Sequence, residues 1–187
     1  MLNIANYFYP LKVDECPADH HFVNWMTANK VEGKTIFHFG TGGHHLIGIE
    51  NAERRWNNSV MGITASPQEY QAYMDLAIDR PAVVGRYKVF FGDIYQLDAG
   101  QMPALDVVTL FHLCEFYSEK NAAYGAMNDL ELALLLCDKL RPGGQMVFYT
   151  GSFAFKKAEP VIAEMAKLRP IAEAGRHETL LVYQKRA

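Results

Sequence analysis

The chain has few cysteines, no excess of basic charge and no long apolar run, and each absence excludes a class of protein. Three cysteines without paired spacing argue against a disulfide framework and favour a reducing compartment. The 18 basic and 21 acidic residues give a formal net charge of -3, without the basic excess typical of nucleic-acid binding. No apolar run approaches the ~18 residues that cross a bilayer, and the N-terminus lacks a signal-peptide layout. The sequence therefore predicts a soluble, cytoplasmic protein with a small-molecule partner rather than a nucleic acid or a membrane.

Internal repeats, low-complexity tracts and Pro/Gly/Ser-rich linkers are also missing. With 187 residues, half of them apolar, the chain can form one well-buried core but not two comfortable ones. We therefore predict a single domain. Residues 1–33 would form an N-terminal helical cap or lid segment, and residues 34–187 an α/β core.

Apolar runs of strand character alternate with helical patterns through this core, which is typical of a parallel sheet with helices on both faces. The predicted strands cover residues 34–39, 59–64, 87–91, 105–111 and 145–150. A short connection, Gly175-Arg176-His177, makes the two last strands, near residues 170–174 and 178–184, an antiparallel pair. The predicted fold class is a Rossmann-like three-layer α/β sandwich with a C-terminal antiparallel hairpin.

Helices are predicted between these strands. Ser66, Pro67 and Glu69 supply an N-cap, a first-turn proline and a capping-box partner for a helix that ends near Asp79. Further helical patterns follow the first strand and cover residues 121–140 and 154–168.

The turn Gly40-Thr41-Gly42-Gly43 follows the first strand and precedes a helix. Glycines there let the backbone approach a ligand, and the helix start presents free N–H groups to it. A Gly-X-Gly turn alone is weak evidence, but the dinucleotide fingerprint requires a third glycine where this chain has His45. A nicotinamide-dependent oxidoreductase is therefore disfavoured.

The order of these motifs resembles that of class I S-adenosylmethionine (SAM)-dependent methyltransferases. The resemblance covers roughly residues 34–151. No single motif is specific, but the order and spacing of the motifs together are. It is carried by five segments in order: Ile36 to Gly43, Val60 to Pro67, Gly92-Asp93, Leu105 to Phe111, and Leu140 to Gly144.

The resemblance implies SAM as cofactor and assigns its contacts by position. Gly40 and Gly42, with Thr41 between them, would lie under the methionine part of SAM. Asp93 would reach the adenine amino group, and Ile94 would pack on the ring. Asp106, at the start of its strand, is assigned a structural role.

Two acidic positions of the family carry other residues here. His38 replaces the acid of the first motif. Thr64 stands at the position of the second-strand acid, which in the family accepts hydrogen bonds from the ribose hydroxyls. A hydrogen bond to a charged group contributes about 1.5–3 kcal/mol against about 0.5–1.5 for a neutral pair, so the substitution at Thr64 would lower affinity roughly tenfold.

At the end of the fourth strand, Phe111 and His112 would lie beside the methionine moiety or the acceptor. Glu115 follows three residues later, and we predict His112 and Glu115 as the catalytic pair that orients or deprotonates an acceptor. Neighbouring His44 and His45 would help cap a helix and line the pocket entrance. They would point about 100° apart on that helix, and no metal site is predicted.

The N-terminal segment is rich in aromatic residues. Phe22, Trp25 and Met26 have helical spacing and are expected to pack on the sheet as core. For Tyr7 and Tyr9 both alternatives stand, packing on the core or forming part of a lid.

The leading hypothesis is therefore a SAM-dependent methyltransferase acting on a compact acceptor, in a site that a second subunit of a homodimer could complete. The alternative is a non-catalytic relative that binds another adenosine-containing metabolite or serves as a partner subunit.

Overall fold

A computed structural model describes residues 3–186 and shows one seven-stranded sheet; Met1, Leu2 and Ala187 lie outside the described residues. The spatial strand order is β3-β2-β1-β4-β5-β7-β6. Strands β1 to β5 are parallel, whereas β7 runs antiparallel to both β5 and β6. The strands are β1 (Thr35–Phe39), β2 (Ser59–Thr64), β3 (Tyr87–Phe91), β4 (Leu105–Leu110), β5 (Leu140–Tyr149), β6 (Ile171–His177) and β7 (Leu180–Lys185).

Helices cover both faces of this sheet, so the predicted fold class is confirmed. They are α1 (Ala18–Ala28), α2 (Leu46–Glu53), α3 (Pro67–Asp79), α4 (Pro81–Val84), α5 (Glu119–Ala123), α6 (Asp129–Lys139) and α7 (Phe155–Leu168). Within the described range none of them is long and apolar enough to cross a membrane.

The hydrophobic core is split by the sheet into two clusters because successive strand side chains point to opposite faces. Ile36 belongs to the cluster under α1 to α4, and its neighbour Phe37 to the cluster under α6 and α7. Phe22, Trp25 and Met26 of α1 are at most 3% exposed, which confirms that they pack as core. Asp106 accepts a hydrogen bond from Thr35 N at 2.8 Å, as its structural role requires.

The helix predicted over residues 121–140 is broken in two. Gly125 adopts a φ of +73°, in a region that glycine populates readily and that ends helices. Asn128 then starts α6 with a capping box, in which its side chain accepts from Glu131 N while the Glu131 carboxylate accepts from Asn128 N.

The C-terminal strands also differ from the prediction in their bounds. Strand β5 begins at Leu140 rather than Gln145, because Leu140 already pairs with Leu105 before a bulge. The predicted connection at Gly175–His177 belongs to β6. The turn instead uses Glu178, with a φ of +52°, and Thr179.

Candidate functional site

A cavity of about 680 Å³ opens at the carboxyl ends of the parallel strands, next to the point where strand order reverses between β1 and β4. Ligands of open α/β sheets bind at this crevice, and the volume lies within the roughly 300–1,000 Å³ of small-molecule sites. Its walls include the strand-end residues Phe39, Ile63, Gly92, His112 and Tyr149.

The glycine turn forms the floor of the cavity. Gly40 has a φ of +95°, and a Cβ at this position would overlap the imidazole ring of His112. Gly42 has a φ of +54°, and a Cβ there would press on the ring of His44. Only glycine therefore allows this close packing of backbone, imidazole rings and ligand space.

Five of the predicted cofactor-binding residues line the cavity: Gly40, Gly42, Thr64, Asp93 and Ile94.

The other two predicted cofactor-binding residues do not line it, and these assignments are corrected. Thr41 is 1% exposed, and its Cγ2 occupies the space over Gly62 in the sheet interior. Phe111 is also 1% exposed and packs between the rings of Phe22 and Tyr149 in the core.

Asp93 is fixed by three donors at one end of the cavity. Its Oδ1 accepts from Tyr95 N at 3.0 Å, and its Oδ2 accepts from Asn121 Nδ2 at 2.8 Å and from the hydroxyl of Tyr124. The carboxylate is therefore held in one orientation beside Ile94.

Glu69 is a cavity residue that the sequence analysis missed. Its Oε2 accepts a hydrogen bond from Thr64 Oγ1 at 2.7 Å, and its Oε1 accepts from Tyr9 N at 3.3 Å. The capping signal was correct for Ser66, whose Oγ accepts from Glu69 N, but the Glu69 side chain turns into the cavity instead of back to the cap. A carboxylate therefore lies next to the residue that replaces the expected acid.

Asp19, in the first turn of α1, is a second missed cavity residue. It is 6% exposed, and no group in residues 3–186 donates a hydrogen bond to its carboxylate. Two imidazole nitrogens, His38 Nε2 and His44 Nε2, lie 3.6 Å from its oxygens. No local pattern marks Asp19, because only the docking of α1 on the sheet brings it to the glycine turn.

Burial controls the protonation of this group of side chains. Desolvation raises the pKa of Asp19 to about 7, whereas it lowers the pKa of His38 to about 3 and that of His44 to about 4. Both imidazoles are therefore uncharged at neutral pH. In the described part of the chain, no three metal-ligating side chains are grouped closely enough to hold a metal ion.

The predicted roles of His44 and His45 divide between them. His44 lines the cavity, and its Nδ1 accepts from Leu46 N at the start of α2. His45 does not line the cavity: it is 2% exposed and bonds to the Tyr87 hydroxyl at 2.9 Å and to Glu69 O at 3.1 Å. These two contacts hold its ring in the interior, and its backbone adopts a φ of +49°.

The predicted catalytic pair lies together on the cavity wall. His112 Nδ1 is 3.1 Å from Glu115 Oε2, and Ser152 Oγ donates to Glu115 Oε1 at 2.5 Å. Since a carboxylate accepts from Nδ1–H, this bond leaves His112 Nε2 as an acceptor towards the cavity.

An extended N-terminal segment, residues 3–12, crosses the cavity, and we call it the strap. Its alternate residues Asn3, Ala5, Tyr7 and Tyr9 line the cavity, as the period of an extended chain requires. The strap is held by Ala5 N to Ala65 O at 3.1 Å, by Gly43 N to Tyr9 O at 2.8 Å and by Ser66 Oγ to Tyr7 O.

Comparison with known proteins gives a likeness of fold. No family model matches the chain, and no curated protein sequence matches it. The solved structure of the methyltransferase CcbJ from Streptomyces caelestis matches with a TM-score of 0.66 at 14% identity, covering 91% of both chains.

Two further structures match over similar spans. The magnesium protoporphyrin IX methyltransferase ChlM from Synechocystis, solved with bound SAM, has a TM-score of 0.65 at 14% identity, covering 92% of this chain and 82% of that one. The cyclase SpnF has a TM-score of 0.64 at 13% identity, covering 100% and 88%. With this sheet order, this cavity position and these neighbours, the chain has the class I SAM-dependent methyltransferase fold.

Proposed function

We propose that this chain is a SAM-dependent methyltransferase that acts on a compact small-molecule acceptor. The observation that carries the proposal is the cavity itself, in which the glycine turn, Asp93 and Ile94 line one continuous wall at the strand ends.

The residues of the cavity fit an adenosine-containing ligand. Asp93 would accept from the adenine amino group while Ile94 packs on the ring, and Glu69 with Thr64 would accept from the ribose hydroxyls. At Gly40 and Gly42 the rings of His112 and His44 take the space that a side chain would fill, so the remainder of the cofactor would lie against the backbone of the turn and these two rings. The two carboxylates Glu69 and Asp19 thus stand in space near the positions where the sequence has Thr64 and His38.

Bound SAM would supply an electrophilic methyl group on a sulfonium, and the chain's task is to align an acceptor with it and exclude water. His112 Nε2, free to accept, would take a proton from the acceptor. Glu115 would stabilise the resulting imidazolium through Nδ1, and Ser152 would hold Glu115 in place. The strap would close the cavity over both ligands.

The chemistry of the lining favours a small acceptor over a nucleic acid. The cavity walls, drawn from residues 3–186, carry no Lys or Arg that would bind a phosphate backbone. Cys16, Cys114 and Cys137 are free, which supports our proposal that the protein works in the reducing cytoplasm.

A non-catalytic relative that binds an adenosine-containing metabolite is the second candidate. The replacements at His38 and Thr64 favour it, and SpnF, a cyclase, has a similar fold. The buried carboxylates near both positions favour the methyltransferase instead.

Calorimetric titration with SAM, S-adenosylhomocysteine (SAH) and NAD tests the proposal, followed by an assay for methyl transfer. We expect SAM and SAH to bind and NAD not to bind. Gly40→Ala should weaken SAH binding at least ~tenfold by displacing His112, whereas Gly33→Ala, also at positive φ but with open space around its Cβ, should not.

Binding of NAD but of neither SAM-type ligand would refute this proposal. Binding of SAH without turnover on any acceptor would leave the non-catalytic candidate.

A further inference from the structure

Asp19 is a buried acidic group to which the proposed function assigns no contact with a ligand. The structure encloses its carboxylate at 6% exposure, directs it into the cavity, and gives it no hydrogen-bond donor from residues 3–186. A buried carboxylate without a donor is costly, because burial removes its hydration and nothing replaces it. Such a group is expected to find its donor in a ligand.

We propose that Asp19 binds an organic ammonium group inside the cavity, an inference that rests on the proposed function only for the identity of the ligand that carries this group.

The surrounding imidazoles leave the charge of Asp19 uncompensated. His38 and His44 approach within 3.6 Å, which is beyond hydrogen-bond distance, and burial lowers the pKa of both. They are therefore neutral neighbours rather than ion-pair partners at neutral pH. His38 Nε2 also lacks a hydrogen-bond partner. Because His44 Nδ1 accepts from Leu46 N, the neutral His44 carries its proton on Nε2, and this N–H faces Asp19 Oδ2 at 3.6 Å without closing a hydrogen bond.

The rest of the lining favours a cation over an anion. Among the described residues the cavity wall contains no Lys or Arg, but it contains the carboxyl groups of Glu15, Asp19, Glu69, Asp93 and Glu115. A ligand with a net negative charge would face this acidic lining without a counter-charge. An ammonium group would instead donate a charge-assisted hydrogen bond to Asp19, and the cavity lining also offers aromatic faces, Tyr9 and Tyr149 among them.

Two ligands could bring this ammonium group. One is the amino-acid end of a SAM-type ligand, because Asp19 contacts the side chain of His44 beside Gly42. The other is a primary amine as methyl acceptor. The chemistry at Asp19 is the same for both, and binding measurements separate them.

Calorimetry on the wild type, Asp19→Asn and Asp14→Asn tests the proposal. Asp14 is an exposed carboxylate outside the cavity and serves as the matched control. The first probe pair is SAH and methylthioadenosine, which lacks the amino-acid end. The second pair is phenethylamine and phenylacetate, which share a body and differ in charge.

We expect Asp19→Asn to weaken one ammonium-bearing probe at least ~tenfold while its partner probe is unaffected and Asp14→Asn changes neither. A loss confined to SAH assigns the ammonium to the cofactor, and a loss confined to phenethylamine assigns it to the acceptor. If Asp19→Asn binds all four probes with the same affinity as the wild type, the proposal is overturned. If SAH does not bind the wild type, the proposed function fails, and the phenethylamine pair still decides the role of Asp19.

The pH dependence of wild-type binding provides a readout that needs no variant. Affinity for the responding ammonium probe should fall as the pH is lowered through about 7, because protonation removes the charge of Asp19. An affinity that does not change across this range contradicts the proposal. The titratable groups facing Asp19 from the elements around it are Cys16, His38, His44, Tyr87 and His112.

Discussion

At the scale of single residues, carboxylates lie beside the two positions where the resemblance leads one to expect acids, although those positions hold Thr64 and His38. Thr64 has no charge, but its hydroxyl donates to Glu69, which sits on the same wall. His38, on strand β1, is neutral, but the carboxyl group of Asp19 approaches it from helix α1. The motif along the sequence shows the two substituted positions but not the carboxylates that lie beside them in space, and we propose that these carboxylates compensate for the substitutions.

Replacing Glu69 with Gln tests this compensation. The glutamine amide keeps an oxygen that accepts from the Thr64 hydroxyl. It removes the negative charge of the group that would accept a hydrogen bond from a ribose hydroxyl. We expect the affinity for adenosine to fall about tenfold, since a charged acceptor contributes about 1.4 kcal/mol more than a neutral one. Calorimetry with adenosine measures the change.

The matched control is Glu159→Gln, an exposed glutamate on α7. If Glu69→Gln and Glu159→Gln bind adenosine equally well, then Glu69 does not contact the ligand.

At the scale of elements, the sequence predicted existence and order better than boundaries. The strands that alternate in the sequence are those of the sheet, because buried parallel strands are continuous apolar runs. The break at Gly125 was missed because an isolated glycine is compatible with a helix. The capping box at Asn128 is what identifies the start of a second helix, α6. The position of Asp19 follows from long-range packing of α1, which carries no local signature.

The strap, residues 3–12, is the element that we expect to move during ligand binding. It has no regular secondary structure, and its aromatic residues Tyr7 and Phe8 are 44% and 48% exposed. Few backbone hydrogen bonds tie it to the core, which is typical of segments that open locally. We expect it to open for ligand entry and to close on the complex.

Amide hydrogen exchange with and without SAH measures this closure. The amides of Ala5 and Gly43, which bond to Ala65 O and Tyr9 O, should exchange several-fold more slowly in the complex. The amides of Val147 and Val182, paired between β5 and β7, should not change and serve as internal controls. Saturation with SAH that leaves strap exchange unaltered would rule out a lid.

At the scale of the whole molecule, the sheet brings the polar groups of the cavity to one edge, the edge formed by the carboxyl ends of the parallel strands. The parallel strands end together, the order reverses between β1 and β4, and the glycine turn, Asp93 and His112 converge there although they are far apart in sequence. The opposite edge holds structural contacts, such as Asp106 with Thr35. This separation of stability from chemistry is what lets one fold serve different acceptors.

We infer that this edge binds a SAM-type ligand in one defined orientation. A crystal structure of the protein saturated with SAH would reveal that orientation. We expect adenine beside Asp93 and Ile94, ribose at Glu69, and the amino-acid end over Gly40 and Gly42. A structure with SAH outside this cavity, or with the cavity empty at saturating SAH, would contradict it.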